Sequence, residues 1–372
     1  MENKYELIIA GDKRHDGLFY TAVKTTGIYC LPSCTARKPA RENVEFFQEA
    51  LNAEAAGYRP CKRCFPNVLG VPWHDFKHFI ELEAPSEFSF EECLVYVNRS
   101  ETECLHQVKD GELVKFVQFG DVNVLLKIRK ESTRLRIDFL NGHPPKWVRA
   151  QAAKYVFDWF DWGTDIRPFY ELAANDPILQ VLAEKYRGLR VIKIHDPFEC
   201  LCWAVMGQQI NLKFAYTLKK RLVEAYGEKL VYEGEPFFLF PKPSVIASLQ
   251  PEDLKKLQFT SRKAEYIIGI AQLFAEQRLK KAEFAAEKEY EPLMEKLMSI
   301  RGIGHWTADY TIMKCTNINC AFPLADVGIH NALKGILGLS DKPSLEKIRQ
   351  LAEGWKNWEA YAAFYLWRWL YD

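Results

Sequence analysis

No run in this chain approaches the ~20 apolar residues that a membrane-spanning helix needs. Its opening, Met-Glu-Asn-Lys-Tyr-Glu-Leu, lacks the basic start and apolar centre of a secretory leader. Both absences argue against an exported or membrane-inserted chain and predict a cytoplasmic protein. Net charge is nearly absent, with 50 basic against 49 acidic residues, or +1. Polyanion binding by bulk charge is therefore excluded, and any contact with nucleic acid must come from local clusters. Ser/Gly linkers, internal repeats and low-complexity tracts are also missing. The two or three domains expected of 372 residues must then follow one another directly. Paired cysteine spacing is absent at Cys93, Cys104, Cys200, Cys202, Cys315 and Cys320. These six read as small buried hydrophobes.

What is present starts with the other four cysteines. Cys30-Leu-Pro-Ser-Cys34 and Cys61-Lys-Arg-Cys64 are two tight pairs closing one loop. In a reducing cytosol that spacing favours a four-thiolate zinc site over disulfides. Basic residues flank both pairs: Arg37 and Arg41 follow the first, and Lys62 and Arg63 lie inside the second. A thiolate-rich centre beside a basic surface suits a module that meets a phosphate backbone. A purely structural zinc site is the plainer alternative.

Beyond this module the periodicity changes twice. Segments 93–97, 113–119, 122–128 and 135–140 alternate or run apolar, with Asp110-Gly111, Gly120-Asp121 and Asn141-Gly142 as turns. They predict an antiparallel sheet, with residues 146–160 as a covering helix. From about 168 onward nearly everything has helical period. Asn175-Asp-Pro177 predicts one helix start, Pro197 opens an apolar helix through Met206, and residues 212–226 form the next.

Within the helical part, a helix ends near Ile300 and Arg301-Gly-Ile-Gly-His305 turns sharply into another. Gly302 and Gly304 permit the turn, and His305 stands where the second helix begins. Free N–H groups at that helix start suit a phosphate, which predicts a helix-hairpin-helix. Asp326 follows, just before a new helical run. By itself it reads as an N-cap. Beside a hairpin anchored on DNA it reads as a catalytic carboxylate.

Residues 72–372 resemble the AlkA-type alkylbase DNA glycosylases of the helix-hairpin-helix superfamily. The resemblance rests on Gly188-Leu-Arg190, Phe198, Met206-Gly-Gln-Gln-Ile-Asn211, Gly302-Ile-Gly-His-Trp-Thr-Ala-Asp-Tyr310, Phe322-Pro-Leu-Ala-Asp326 and Trp355-Lys-Asn-Trp-Glu-Ala-Tyr361. Residues 1–68 resemble the zinc-binding, methylphosphotriester-accepting domain of Ada. That match is carried by Asp16-Gly17, Phe19, Thr25-Thr-Gly-Ile-Tyr-Cys-Leu-Pro-Ser-Cys34, Arg41-Glu-Asn-Val44 and Ala56-Gly-Tyr-Arg-Pro-Cys-Lys-Arg-Cys64. Regulatory Ada relatives follow this domain with an AraC-type helix-turn-helix, for which this chain has no room. The fold implied is multidomain α+β: a zinc domain over 1–68, a sheet domain with helices over 72–168, and an all-α glycosylase core over 169–372.

The resemblance implies roles. Asp326 supports hydrolysis of the N-glycosidic bond in a flipped alkylated purine of the 3-methyladenine class. Trp306, Tyr310 and Trp367 line an aromatic pocket suited to cationic bases. Gln209 or Ile210 is the wedge that fills the vacated stack. Trp306 stands where lyase-active relatives carry a lysine, so no strand cleavage is expected. No cysteine lies beyond Cys320, so the iron-sulfur cluster of some relatives is absent. Cys30 is the implied methyl acceptor, with one zinc that is structural and keeps the four thiolates ionised. Methylation then takes the site's formal charge from about −2 to about −1 and tightens DNA binding. The implied partner is double-stranded DNA carrying alkylated bases or methylphosphotriesters, bound by a monomer.

Overall fold

The computed structural model describes residues 4–372. The N-terminal module is a four-stranded sheet in the order Val44–Phe47, Tyr20–Val23, Ile28–Cys30, Arg59–Pro60. The last two strands run parallel, with Tyr29 opposite Pro60. That pairing decides the metal geometry. Cys30 ends one strand, Cys61 follows the other, and Cys61 N–H donates to the Tyr29 carbonyl at 2.9 Å. Each pair's second cysteine returns on a tight turn, so all four sulfurs converge.

The second sheet is antiparallel throughout, in the order Trp73–Asp75, Phe79–Glu83, Arg134–Phe139, Val122–Glu131, Glu112–Phe119, His106–Lys109. Helix Lys146–Trp159 packs Val148, Ala152 and Val156 into the main core with strand residues Val124, Leu126 and Ile128. The opposite face buries Phe116 and Leu125 under Phe237. This double coverage explains why Leu125 and Leu126 are both fully buried in adjacent positions.

Two sequence expectations change, at residues 93–97 and in the helical core, and a third, at Asn175-Asp-Pro177, is made specific. Residues 93–97 are not a strand but lie in helix Phe90–Val97. Ser89 Oγ accepts Glu92 N–H at 3.2 Å, and Phe90, Cys93, Leu94 and Val97 share the buried face. At Asn175-Asp-Pro177 the cap is Asp176, whose Oδ1 takes Ile178 and Leu179 N–H, and the helix runs Leu179–Lys185. The helical core also contains one β-hairpin, Lys229–Tyr232 with Glu235–Phe238, turned at Glu233-Gly234 where both φ are positive. It contributes the Phe237 that covers the sheet. The other helices match: Pro197–Gly207, Leu212–Tyr226, Tyr290–Met298 and His305–Cys315.

The zinc module is packed against the rest of the chain. Helix Ala50–Ala55 lies on helix Lys281–Ala286, and Glu49 pairs with Lys288 at 2.5 Å. Asn67 and Gln151 exchange two amide hydrogen bonds at 3.1 Å.

Candidate active sites

Helix His305–Cys315 and the helix after Asp326 present their N-termini near one another. Asp326 is the N-cap of helix Val327–Ile336, and its Oδ1 accepts Gly328 N–H at 2.8 Å and Ile329 N–H at 3.1 Å. The same oxygen accepts Trp367 Nε1–H at 2.8 Å, while Oδ2 accepts Trp306 Nε1–H at 3.0 Å. Capping and site-building are therefore done by one carboxylate. Oδ1 is crowded with donors, and Oδ2 holds the open lone pair. Gly328 is required here, because a Cβ would stand 2.8 Å from Oδ1 and 3.1 Å from the Trp367 ring.

Trp306 and Tyr310, one turn apart, stack at 5.7 Å and 26°. Tyr310 lies 5.9 Å from Trp367. The three sequence-predicted aromatics thus form one cluster, in which Trp306 and Trp367 bond Asp326. Sequence reasoning missed Trp203, whose Nε1–H donates to Tyr310 Oη at 3.0 Å. It sits in a uniformly apolar helix, where nothing marks one ring as special.

The hairpin follows from Gly302, at φ 93°, where a Cβ would lie 2.3 Å from the Tyr266 ring. Gly304 is different: its φ is −103°, and nothing lies within 4 Å of its Cβ position. It leaves open space in front of the first turn of helix His305–Cys315. His305 is exposed there. The Gln208–Asn211 loop comes to the same place. Gln208 Nε2 donates to the Gly302 carbonyl at 3.0 Å and to Thr307 Oγ1 at 3.1 Å. Gln209 is exposed at φ 56°, whereas Ile210 is half-buried against the core. Gln208 was legible only as part of a matching motif, not as the tie between loop and hairpin.

Asp309 is buried one helical turn from Trp306. Burial pushes its carboxyl up to about 6, opposed by hydrogen bonds from Tyr290 Oη–H at 2.8 Å and Phe322 N–H at 3.3 Å.

At the other end of the chain, the sulfurs of Cys30, Cys34, Cys61 and Cys64 all lie within 4.8 Å of one another. Cys34 and Cys61 sulfurs are 3.9 Å apart. A tetrahedral zinc with ~2.3 Å bonds needs sulfur edges of roughly 3.8 Å, so the set fits this ion. Leu31 N–H points at Cys64 Sγ (3.3 Å) and Arg63 N–H at Cys61 Sγ (3.4 Å). Cys30 is half-buried and lines a cavity of about 520 Å³ with Arg37 and Lys38. Arg37, Arg41 and Arg63 are exposed, and Arg41 lies 5.7 Å from the Tyr5 ring. Lys62 is placed otherwise: its Nζ sits 3.8 Å over the Trp147 ring of the sheet domain's helix. Its cation joins two domains.

A hairpin facing a capped aspartate in an aromatic cage defines a helix-hairpin-helix base-excision protein, here joined to a four-cysteine module. Residues 202–357 match the HhH-GPD superfamily of base excision DNA repair proteins, and residues 83–201 match the N-terminal domain of 8-oxoguanine DNA glycosylase. Residues 3–67 match the metal binding domain of Ada. A DNA-3-methyladenine glycosylase of Bacillus subtilis is 40% identical over 304 residues, covering 81% of this chain and 100% of that one. The chain belongs to this glycosylase family. Escherichia coli Ada, a bifunctional transcriptional activator and DNA repair enzyme, is 48% identical over 73 residues, 20% of this chain and 21% of Ada. The fold is also that of the 3-methyladenine DNA glycosylase from Archaeoglobus fulgidus, with a TM-score of 0.66 at 23% identity over 77% of this chain and 97% of that one.

Proposed function

We propose that the chain repairs alkylated DNA by two chemistries: hydrolytic excision of alkylated purines at Asp326, and stoichiometric methyl transfer from DNA phosphotriesters to Cys30. The division of labour follows residues 1–68, 72–168 and 169–372. The observation that carries the first activity is the four-donor cradle around Asp326 between Trp306 and Trp367.

In the glycosylase site, His305 and the N–H groups around Gly302 and Gly304 hold the DNA backbone. Gln209, exposed at its left-handed turn, enters the stack when the lesion leaves it. The flipped base lies against Trp306, Tyr310 and Trp367. As the C1′–N bond breaks, its electron pair stays with the base and the sugar becomes an oxocarbenium ion. The Asp326 carboxylate offsets that charge, and water adds at C1′ as its proton passes to that carboxylate. The position of Trp306 offers an indole N–H already given to Asp326, with no amine to attack C1′. The product is an intact strand with an abasic site.

In the zinc module, Cys30, Cys34, Cys61 and Cys64 would hold one zinc, which when bound would keep their thiolates ionised at neutral pH. Cys30 Sγ attacks the phosphotriester methyl; the S–C bond forms, the C–O bond breaks and the phosphate leaves as a diester anion. Among the described residues no backbone N–H donates to Cys30 Sγ, unlike Cys61 and Cys64, so its electron pair is the more available. Arg37, Arg41 and Arg63 supply the basic surface.

One set of reactions tests the proposal. On duplex carrying 3-methyladenine, the protein releases the base, and borohydride traps no protein–DNA adduct. On methylated phosphotriester DNA, peptide mapping finds a single methyl on Cys30, and elemental analysis finds one zinc per chain. A trapped adduct overturns the hydrolytic mechanism. A methyl elsewhere, or none, reduces the zinc module to a DNA anchor.

A further inference from the structure

Asp309 belongs to none of the roles above, yet its position is unusual. It is 7% exposed, on the helix that carries Trp306 and Tyr310. Its Oδ1 accepts Tyr290 Oη–H from helix Tyr290–Met298, the first helix of the hairpin pair. The same oxygen accepts Phe322 N–H, at the start of the Phe322–Asp326 segment. One buried oxygen therefore ties both hairpin helices to the loop that delivers Asp326. At its far end the loop is held by the Asp326 carboxylate, which accepts Trp306 and Trp367, while Leu324 N–H and Asp326 N–H bond only to the Phe322 and Pro323 carbonyls; at its start, the Asp309 bond to Phe322 N–H is the tie to the hairpin helices.

We propose that Asp309 is a positioning residue for the glycosidic reaction, holding the Asp326 loop in register with the hairpin through a charge-assisted hydrogen bond. This rests on the assignment of that chemistry to Asp326. A carboxylate accepts roughly twice as strongly as a neutral group. Protonating Asp309 thus loosens the Phe322 and Tyr290 bonds without removing the side chain. The groups facing it are Tyr290 and the exposed Glu291 of the preceding helix, and His305 on its own helix. Half-buried Glu359 and exposed Arg349, Glu353 and Lys356 line the same cavity as Asp309, and Cys320 lies near it. None of these makes an ion pair with it.

Burial sets the pH window, because the carboxyl titrates near 6 in the fold against 3.8 normally. Between these values the folded state binds more protons than the unfolded chain, so stability falls as pH rises from about 4 to about 6. Activity moves the opposite way, since the ionised form holds the loop better. A merely structural acid would move both together.

The test is Asp309→Asn, which keeps the Oδ1 acceptor and removes the charge. Single-turnover excision is followed from pH 5 to 7.5 on duplex with 7-methylguanine, and rates are expressed as wild type over variant, which cancels the substrate's own titration. With a group titrating near 6 that ratio rises about fourfold between pH 5.5 and 7.5. The variant's Tm at pH 7.5 is expected to equal or exceed that of the wild type, and its DNA affinity to match within about twofold. A pH-independent ratio, or a variant both slower and less stable, overturns the proposal. Asp326→Asn in the same assay separates the two claims: if it stays active, the assignment beneath this inference fails, and if it is inactive while Asp309→Asn shows no pH-dependent ratio, only this inference fails.

Discussion

Asp326 shows how much one residue can be asked to do. Its carboxylate caps a helix and fixes two indoles, Oδ1 taking the two backbone N–H groups and Trp367 and Oδ2 taking Trp306, and in the proposed chemistry it also faces the sugar. The wedge is a second residue-scale matter. Gln209 is exposed with a left-handed backbone, while Ile210 points back into the core. A side chain that packs inward gains nothing by entering the DNA stack, which is why Gln209 is the proposed wedge. Extruding a base costs a few kcal/mol of lost stacking and pairing, part of which the wedge repays. Gln209→Ala is expected to lower single-turnover excision about tenfold on paired lesions and much less on lesions opposite a gap. Equal loss on both substrates, or loss only with Ile210→Ala, contradicts the assignment.

At the scale of elements, the hairpin depends on one glycine more than the other. Gly302 has positive φ and no room beside Tyr266, whereas Gly304 has ordinary backbone and empty space. Gly302→Ala combines a left-handed alanine with overpacking, about 1–3 kcal/mol or more. A drop of several degrees in Tm is expected for it. Gly304→Ala should leave Tm unchanged and weaken DNA binding only, because its methyl occupies the phosphate approach. Thermal melts paired with DNA titrations check this; equal Tm for both variants counts against it.

Most of these elements were legible in the sequence. Periodicity gave the helices from Pro197 and Leu212, and two glycines gave the hairpin. Where legibility failed, the cause was tertiary. Cys93-Leu-Val-Tyr-Val97 has strand composition, but Ser89 caps it and the core accepts one helical face. The Lys229–Phe238 hairpin is short, and its purpose, to cover Phe116 and Leu125, lies in another domain. For the same reason Trp203 carried no local signal, and Gln208 and Asp309, like the roles of Asp326 and Trp306, were legible only through matching motifs, whereas the four cysteines stood in a spacing that metal chemistry itself dictates.

At the scale of the whole molecule, the two proposed repair sites share one docked body. Lys62 over Trp147, the Asn67–Gln151 amide pair and the Glu49–Lys288 ion pair hold the zinc module to the glycosylase. Their chemistries nonetheless use separate residues, so each should be removable without the other. The most direct measurement is Asp326→Asn, assayed on both substrates. Asparagine keeps the Oδ1 cap, though its amide N–H₂ must turn a donor toward Trp306, so a modest loss of stability is expected. Losing the carboxylate charge should cut single-turnover excision of 3-methyladenine by about 10²–10³ or more. Methylation of Cys30 by phosphotriester DNA should proceed at the wild-type rate. Excision within a few-fold of wild type, from a variant that folds and binds DNA, would contradict the account at its centre.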